Sequence, residues 1–195
     1  DGSTAVADLI GMPNGSTGAT VADTSIYAEP NRGVITGRDA PMVFQTYAEV
    51  RLLKAEMAFR GWSVPGDAKT HYEAGVKAAM QMLSQLYTNA AAISDAEVAT
   101  YLAAKPYDAA RGWEMISEQY WAATLLNEYE SFNNWRRTGY PTLTPVNYDG
   151  NVTGGTIPRR LIYPVSEQAT NGDNYGAAVA RQGADNFTTR MWWDK

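Results

Sequence analysis

Two stretches of apolar residues at three- and four-residue steps, separated by a glycine and a capping aspartate, constrain this chain more than any other feature. In the first, Val43, Phe44, Tyr47, Val50, Met57 and Ala58 keep helical spacing. Asp39 stands at a cap position, and Pro41 falls in the first turn, where a missing amide hydrogen costs nothing. The spacing predicts a helix over 39–60, ended by Gly61 in a left-handed conformation. Asp67 then caps a second helix whose Tyr72, Val76, Met80, Leu83 and Tyr87 form a stripe. Two such helices with a short connection pack as an antiparallel hairpin. The hairpin is somewhat longer than the roughly 34-residue tetratricopeptide unit, and no second copy establishes a period.

The rest of the chain divides around this hairpin. Residues 1–38 are rich in Gly, Ser, Thr and Ala without sustained periodicity, and read as loop with room for one short strand. Ser94-Asp95-Ala96-Glu97 is a capping box that opens a short helix ended by Lys105-Pro106. A long helical region follows from Asp108, carrying Trp113, Ile116, Tyr120, Thr124, Leu125, Tyr129, Phe132 and Trp135. It bends near Asn127 and stops at Thr138-Gly139-Tyr140-Pro141. Residues 142–195 read as loop-rich, with turns at Asp149-Gly150 and Asn171-Gly172 and an extended Leu161-Ile162-Tyr163-Pro164. Loops this long are functional or pack on structure supplied elsewhere.

Composition narrows the classes. With 195 residues, 45% of them hydrophobic, and six Trp and twelve Tyr adding apolar mass, one compact domain is expected. A net charge of -5 with only 16 Lys plus Arg argues against nucleic acid as the main partner. The absence of cysteine excludes disulfides, thiolate metal sites and a cysteine nucleophile within these residues. No apolar run approaches the roughly 20 residues that span a bilayer as a helix.

No catalytic set emerges. The single histidine, His71, lies beside the stripe of the second helix and reads as a surface residue, with no second His for a triad or metal pair. Glycosidases need two carboxylates about 5 to 10 Å apart across a cleft. Glu128 and Glu130, two apart on a helix, point to different sides. The oxygen-rich segments 147–151 and 171–174 suit tight turns better than calcium. Arg136-Arg137 and Arg159-Arg160 suit helix-terminal carbonyls or buried acids better than an anionic ligand. Exposed aromatics would offer platforms for sugar rings, although most fall on helical stripes and read as core. The glycine-rich opening has neither a dinucleotide fingerprint nor a Walker loop.

Several ordered motifs nevertheless resemble one family. Ala40-Pro41-Met42-Val43-Phe44, with Tyr47-Ala48-Glu49-Val50 and Ala55-Glu56 ahead of Arg60-Gly61, is similar to the C-terminal part of SusD/RagB-type outer-membrane nutrient-binding lipoproteins. So are Trp135-Arg136-Arg137-Thr138-Gly139-Tyr140-Pro141 and Ile157-Pro158-Arg159-Arg160-Leu161 with Tyr163-Pro164 and Glu167. Gly183, Asp185 and Thr189-Arg190-Met191-Trp192-Trp193-Asp194-Lys195 agree, as does Gly11-Met12-Pro13-Asn14-Gly15 ahead of the helices.

The resemblance implies a mainly α fold of tetratricopeptide-like hairpins with long irregular loops. Residues 1–38 would lead from a missing N-terminal part, and 39–195 would form the C-terminal helical region. The family is more than twice this length, so a lipidated cysteine and its anchor would lie upstream. It further implies a non-catalytic, cell-surface lipoprotein of Bacteroidota that captures a glycan, or in some members a peptide, and delivers it to a SusC-type TonB-dependent transporter. Neither metal nor cofactor is implied. A glycan-processing enzyme is the rival from another class, and a pure scaffold gripping the transporter is a third reading. The family's ligand contacts vary with the nutrient. Among these residues, Tyr27, Asn31 and Arg32 in the opening loop combine a stacking face with polar groups and are the candidate ligand contacts.

Overall fold

The computed structural model describes residues 10–15, 21, 23 and 25–194, and among these all regular structure is helical. Much of the opening loop, residues 1–9, 16–20, 22 and 24, therefore lies outside the described part. The described part of 1–38 contains no strand, and its one regular element is the four-residue helix α1, Arg32–Ile35. The chain divides into two units, one drawn from residues 1–28 and 143–195 and the other Glu29–Thr142.

The second unit holds the hairpin. Helix α2, Tyr47–Phe59, begins later than the spacing suggests, because Thr46 and Glu49 form a capping box. The Thr46 hydroxyl accepts from the Glu49 amide at 3.1 Å, and the Glu49 carboxylate accepts from the Thr46 amide at 2.8 Å. This corrects the expected start at Asp39, since residues 41–45 run outside the helix. The buried face changes with it. Ala48, Leu52 and Ala55 form the inner row, while Phe44 and Tyr47 of the expected stripe are exposed.

Helix α3, Ala68–Leu86, starts at Asp67 as expected, the Asp67 carboxylate accepting from the Thr70 amide at 2.7 Å. Its Tyr72 and Val76 meet the small inner row of α2, with Gly75 at the closest approach. A Cβ at Gly75 would stand 2.7 Å from Leu52 Cγ. Two alanines and a glycine therefore set the spacing of the hairpin, and Leu52 fills the gap between them.

Helix α4, Asp95–Ala104, opens on the expected Ser94/Glu97 box. It is tied back to α3 by Lys77 and Gln81, which donate to Asp95 at 2.9 and 2.8 Å. Those two donors, Lys77 first, hold the Asp95 carboxyl below its ordinary value. The region expected as one long bent helix is two: α5, Gly112–Ala123, after a 3-10 turn at Ala109–Arg111, and α6, Glu128–Thr138. The break is local. Thr124 Oγ1 bonds the carbonyls of Tyr120 and Trp121, both at 3.0 Å, and Leu126 takes the left-handed region at φ 75°. Ile116, Tyr120 and Ala123 of α5 complete the core over the hairpin.

The first unit contains two helices that the sequence reading assigns to loop: α7, Val165–Thr170, and α8, Gly172–Gln182. Asn171-Gly172, expected as a turn, is the joint between them. Pairs of arginine and buried acid organise this unit. Arg159 meets Asp194 at 2.8 Å, and Arg160 meets Asp185 at 3.1 Å. Asp185 also accepts from the Tyr163 amide at 3.1 Å and the Tyr175 hydroxyl at 3.2 Å.

The close packing at Gly75 predicts that Gly75→Ala lowers stability by about 1–3 kcal/mol in urea unfolding, through overpacking against Leu52. Gly176→Ala on α8, with nothing within 4 Å of the added carbon, should be neutral or stabilising by up to about 1 kcal/mol, and equal losses in both would contradict this account of the hairpin.

Two core phenols give a second prediction. Burial, followed by the influence of Tyr101 and Glu118, pushes Tyr72 from an ordinary 10.0 up to about 12. Burial and then the Glu49 and Glu130 carboxylates raise Tyr120 as well. A raised phenol favours the folded state fully below the unfolded value and ceases to do so as pH climbs through the folded one. Ultraviolet titration should therefore show most tyrosines ionising near pH 10 and a late fraction ionising with loss of helical circular dichroism. A single transition of all twelve near pH 10 with helicity intact would count against the buried assignment.

Candidate functional site

A side-chain cluster with solvent-facing aromatics forms at the C-terminal end of α2. Glu56, one turn from that end, is 7% exposed, and its carboxylate is the hub. It accepts from Arg137 Nη1 and Nη2 at 2.5 and 2.8 Å, a bidentate pair between α6 and α2. It also accepts from Arg60 Nε at 2.8 Å. Arg137 reaches it from the last turn of α6, where the helix dipole favours a cation.

The two guanidiniums then organise rings. The Arg60 guanidinium lies 4.4 Å from the Trp113 ring centre and 5.5 Å from that of Trp62. Arg137 lies 5.7 Å from Trp113, and Phe59 stacks on Trp113 with centres 6.4 Å apart and planes at 21°. Trp62 is brought back across the helix end by a Schellman turn. Gly61 takes φ 72°, its amide donates to the Ala58 carbonyl at 3.0 Å, and the Trp62 amide donates to Met57 at 2.9 Å. Trp62 is 58% exposed and Phe59 40% exposed, so the cluster presents apolar ring surface beside a cation.

The same loop explains His71, which is buried and not on the surface as its place beside the stripe suggests. Its Nε2–H donates to the Pro65 carbonyl at 2.7 Å and pins the α2–α3 connection that carries Trp62. The sequence shows where His71 falls on its helix and does not show that a loop carbonyl needs a donor there.

Two grooves accompany the cluster in this unit. One, of about 760 Å³, lies between residues 41–48 and α3, with Met42, Phe44 and Tyr47 exposed along it. Its outer wall is pinned where Tyr87 Oη donates to the Pro41 carbonyl and Asn127 Nδ2 to that of Phe44, both at 3.3 Å. Lys77 and Gln81 line it but are committed to Asp95, so the wall is chiefly apolar. The other groove, about 390 Å³, is lined by Val34, Ile35, Met80, Leu83, Leu125 and Leu126.

The three candidate contacts fall in different places. Tyr27 is half-buried and belongs to the first unit, whereas Asn31 and Arg32 belong to the second. Asn31 caps α1 by accepting from the Gly33 amide at 2.9 Å and lines the smaller groove, and Arg32 pairs with Glu29 at 2.7 Å. The remaining candidates serve structure. Arg159 and Arg160 pair with buried acids, Glu130 accepts from Tyr120 Oη at 3.4 Å, and Asn151 and Asn171 bond neighbours in their own segments. No group of three or more His, Asp or Glu that would hold a metal occurs among the described residues.

Comparison with known proteins follows the same lines. A family model, SusD-like, described as starch-binding associating with the outer membrane, matches residues 2–164. No curated protein matches. Among solved structures, a chitin-binding protein is 43% identical with a TM-score of 0.69 over 76% of this chain. A SusD-like protein of Bacteroidetes AC2a is 37% identical with a TM-score of 0.73 over 80%. A chitin-binding SusD homologue from Flavobacterium johnsoniae is 29% identical with a TM-score of 0.58 over 76%. The matches cover 32%, 31% and 36% of those chains, so this chain spans about a third of their length. From the ordered motifs, the helical architecture and a match over most of its residues, the chain belongs to the SusD-like family.

Proposed function

We propose that this protein captures an oligosaccharide at the cell surface without cleaving it and delivers it to a SusC-type TonB-dependent outer-membrane transporter. The observation that carries the reading is the family match over residues 2–164, joined by a 43% identical neighbour described as chitin-binding. The physical support is a helical frame that holds exposed ring faces in fixed positions, which lowers the entropy lost on binding. In this reading the protein is a lipoprotein anchored through sequence upstream. Residues 1–38 lead from that part, and 39–195 supply the C-terminal helical region. Tyr27 in one unit, and Asn31 and Arg32 in the other, are each further candidate ligand contacts.

The test is affinity electrophoresis of the protein through gels containing soluble chitin derivatives, starch or other glycans, with chromatography of each glycan after incubation. Retardation by at least one glycan, with no shortened product, is the expected outcome. Released product that a single Glu or Asp substitution abolishes would replace the reading with an enzyme. Binding of peptides alone would replace it with peptide capture.

A further inference from the structure

Within the glycan-capture reading, on which this inference rests, we propose that Trp62 and Arg60 form a subsite for an acidic sugar, a uronate or a sulfated ring. The ion-paired cluster holds one carboxylate, Glu56, and two guanidiniums, Arg60 and Arg137, and the Glu49 and Glu130 carboxylates act with Arg137 on Tyr120, which leaves Arg60 as the cation at the solvent-facing end. The Glu56 oxygens are taken by both Arg137 Nη atoms and by Arg60 Nε. The Nη groups of Arg60 donate to no described residue, and the Arg60 side chain is 37% exposed. Those donors are therefore available to an anion, and a planar fork matches a carboxylate or sulfate better than a lone hydroxyl.

The ring beside them sets the rest of the ligand. A guanidinium on one side of the Trp62 indole draws on the negative potential of the π system. The exposed remainder of the ring favours an apolar sugar face that also carries negative charge nearby. A bare anion would use Arg60 alone, and a neutral sugar would use Trp62 alone. The Schellman turn, the Glu56 bond to Arg60 and the His71 bond to Pro65 fix both groups before the ligand arrives.

Isothermal titration of the complete chain with oligogalacturonate, a sulfated glycosaminoglycan oligomer, a chito-oligosaccharide of matched length and inorganic sulfate tests the proposal. At least one acidic oligomer should bind roughly tenfold more tightly than the neutral one, and rising salt should narrow that gap. Arg60→Gln should bring the acidic-to-neutral ratio toward one, Arg60→Lys should restore part of it, and Trp62→Ala should weaken the acidic oligomer while sulfate binds poorly throughout. Thermal unfolding of each variant separates loss of fold from loss of contact. Neutral oligomers binding as tightly as acidic ones, or a preference that survives Arg60→Gln, overturns the subsite and leaves glycan capture standing. If neither class of oligomer binds, the subsite falls, and glycan capture falls with it only when the gel panel of starch and other glycans also gives no retardation.

Discussion

A buried carboxylate with more donors than one is the constraint on which the Glu29–Thr142 unit depends. Glu56 on α2 takes two nitrogens from Arg137 on α6 and one from Arg60 at its own helix end. Removing Glu56 from such a site would leave two guanidiniums facing each other without a counter-charge, so the geometry is held collectively. Its effect reaches further than the ion pair. Arg60 carries Trp62 and Trp113 with it, and Arg137 fixes the end of α6 against α2. The same interaction that joins helices therefore places aromatic surface at the solvent.

Packing supplies the stiffness that the polar hub alone would lack. Ala48, Ala55 and Gly75 let α2 and α3 approach closely around Leu52, and Ile116 and Tyr120 of α5 close the core. Apolar residues that this core does not use, Met42, Phe44 and Tyr47, line a groove instead of entering it. In two solved relatives of the same family the match covers only 32% and 31% of the chain, and each is more than twice as long as this one.

Local signals made much of the fold legible. The Ser94 box, the Asp67 cap and the glycines at 61 and 139 stand in the sequence as they stand in the helices. The start of α2 was readable too, since Thr46 and Glu49 have the spacing of a capping box, but Asp39 and Pro41 offered a competing start. The break at Leu126 was hidden because the apolar spacing continues through it while Thr124 turns its hydroxyl onto its own helix. Helices α7 and α8 were masked by Asn171-Gly172, whose turn chemistry serves as a joint between helices. That Arg137 suits a buried acid is legible, but which acid is not, because Glu56 and Arg137 lie 81 residues apart and nothing local signals their pairing. Asn31 and Arg32 stand in the sequence as polar groups of a loop, yet each is at least partly committed to its own segment.

In the proposed reading, the rings held by the Glu56 hub contact the ligand. Nitrogen–proton correlation spectra of the six indole groups during titration with a bound oligosaccharide address it most directly. Saturable shifts of Trp62 and Trp113 that track the binding isotherm are expected. Shifts confined to Trp121, Trp135, Trp192 or Trp193, with Trp62 and Trp113 unmoved at saturation, would contradict it.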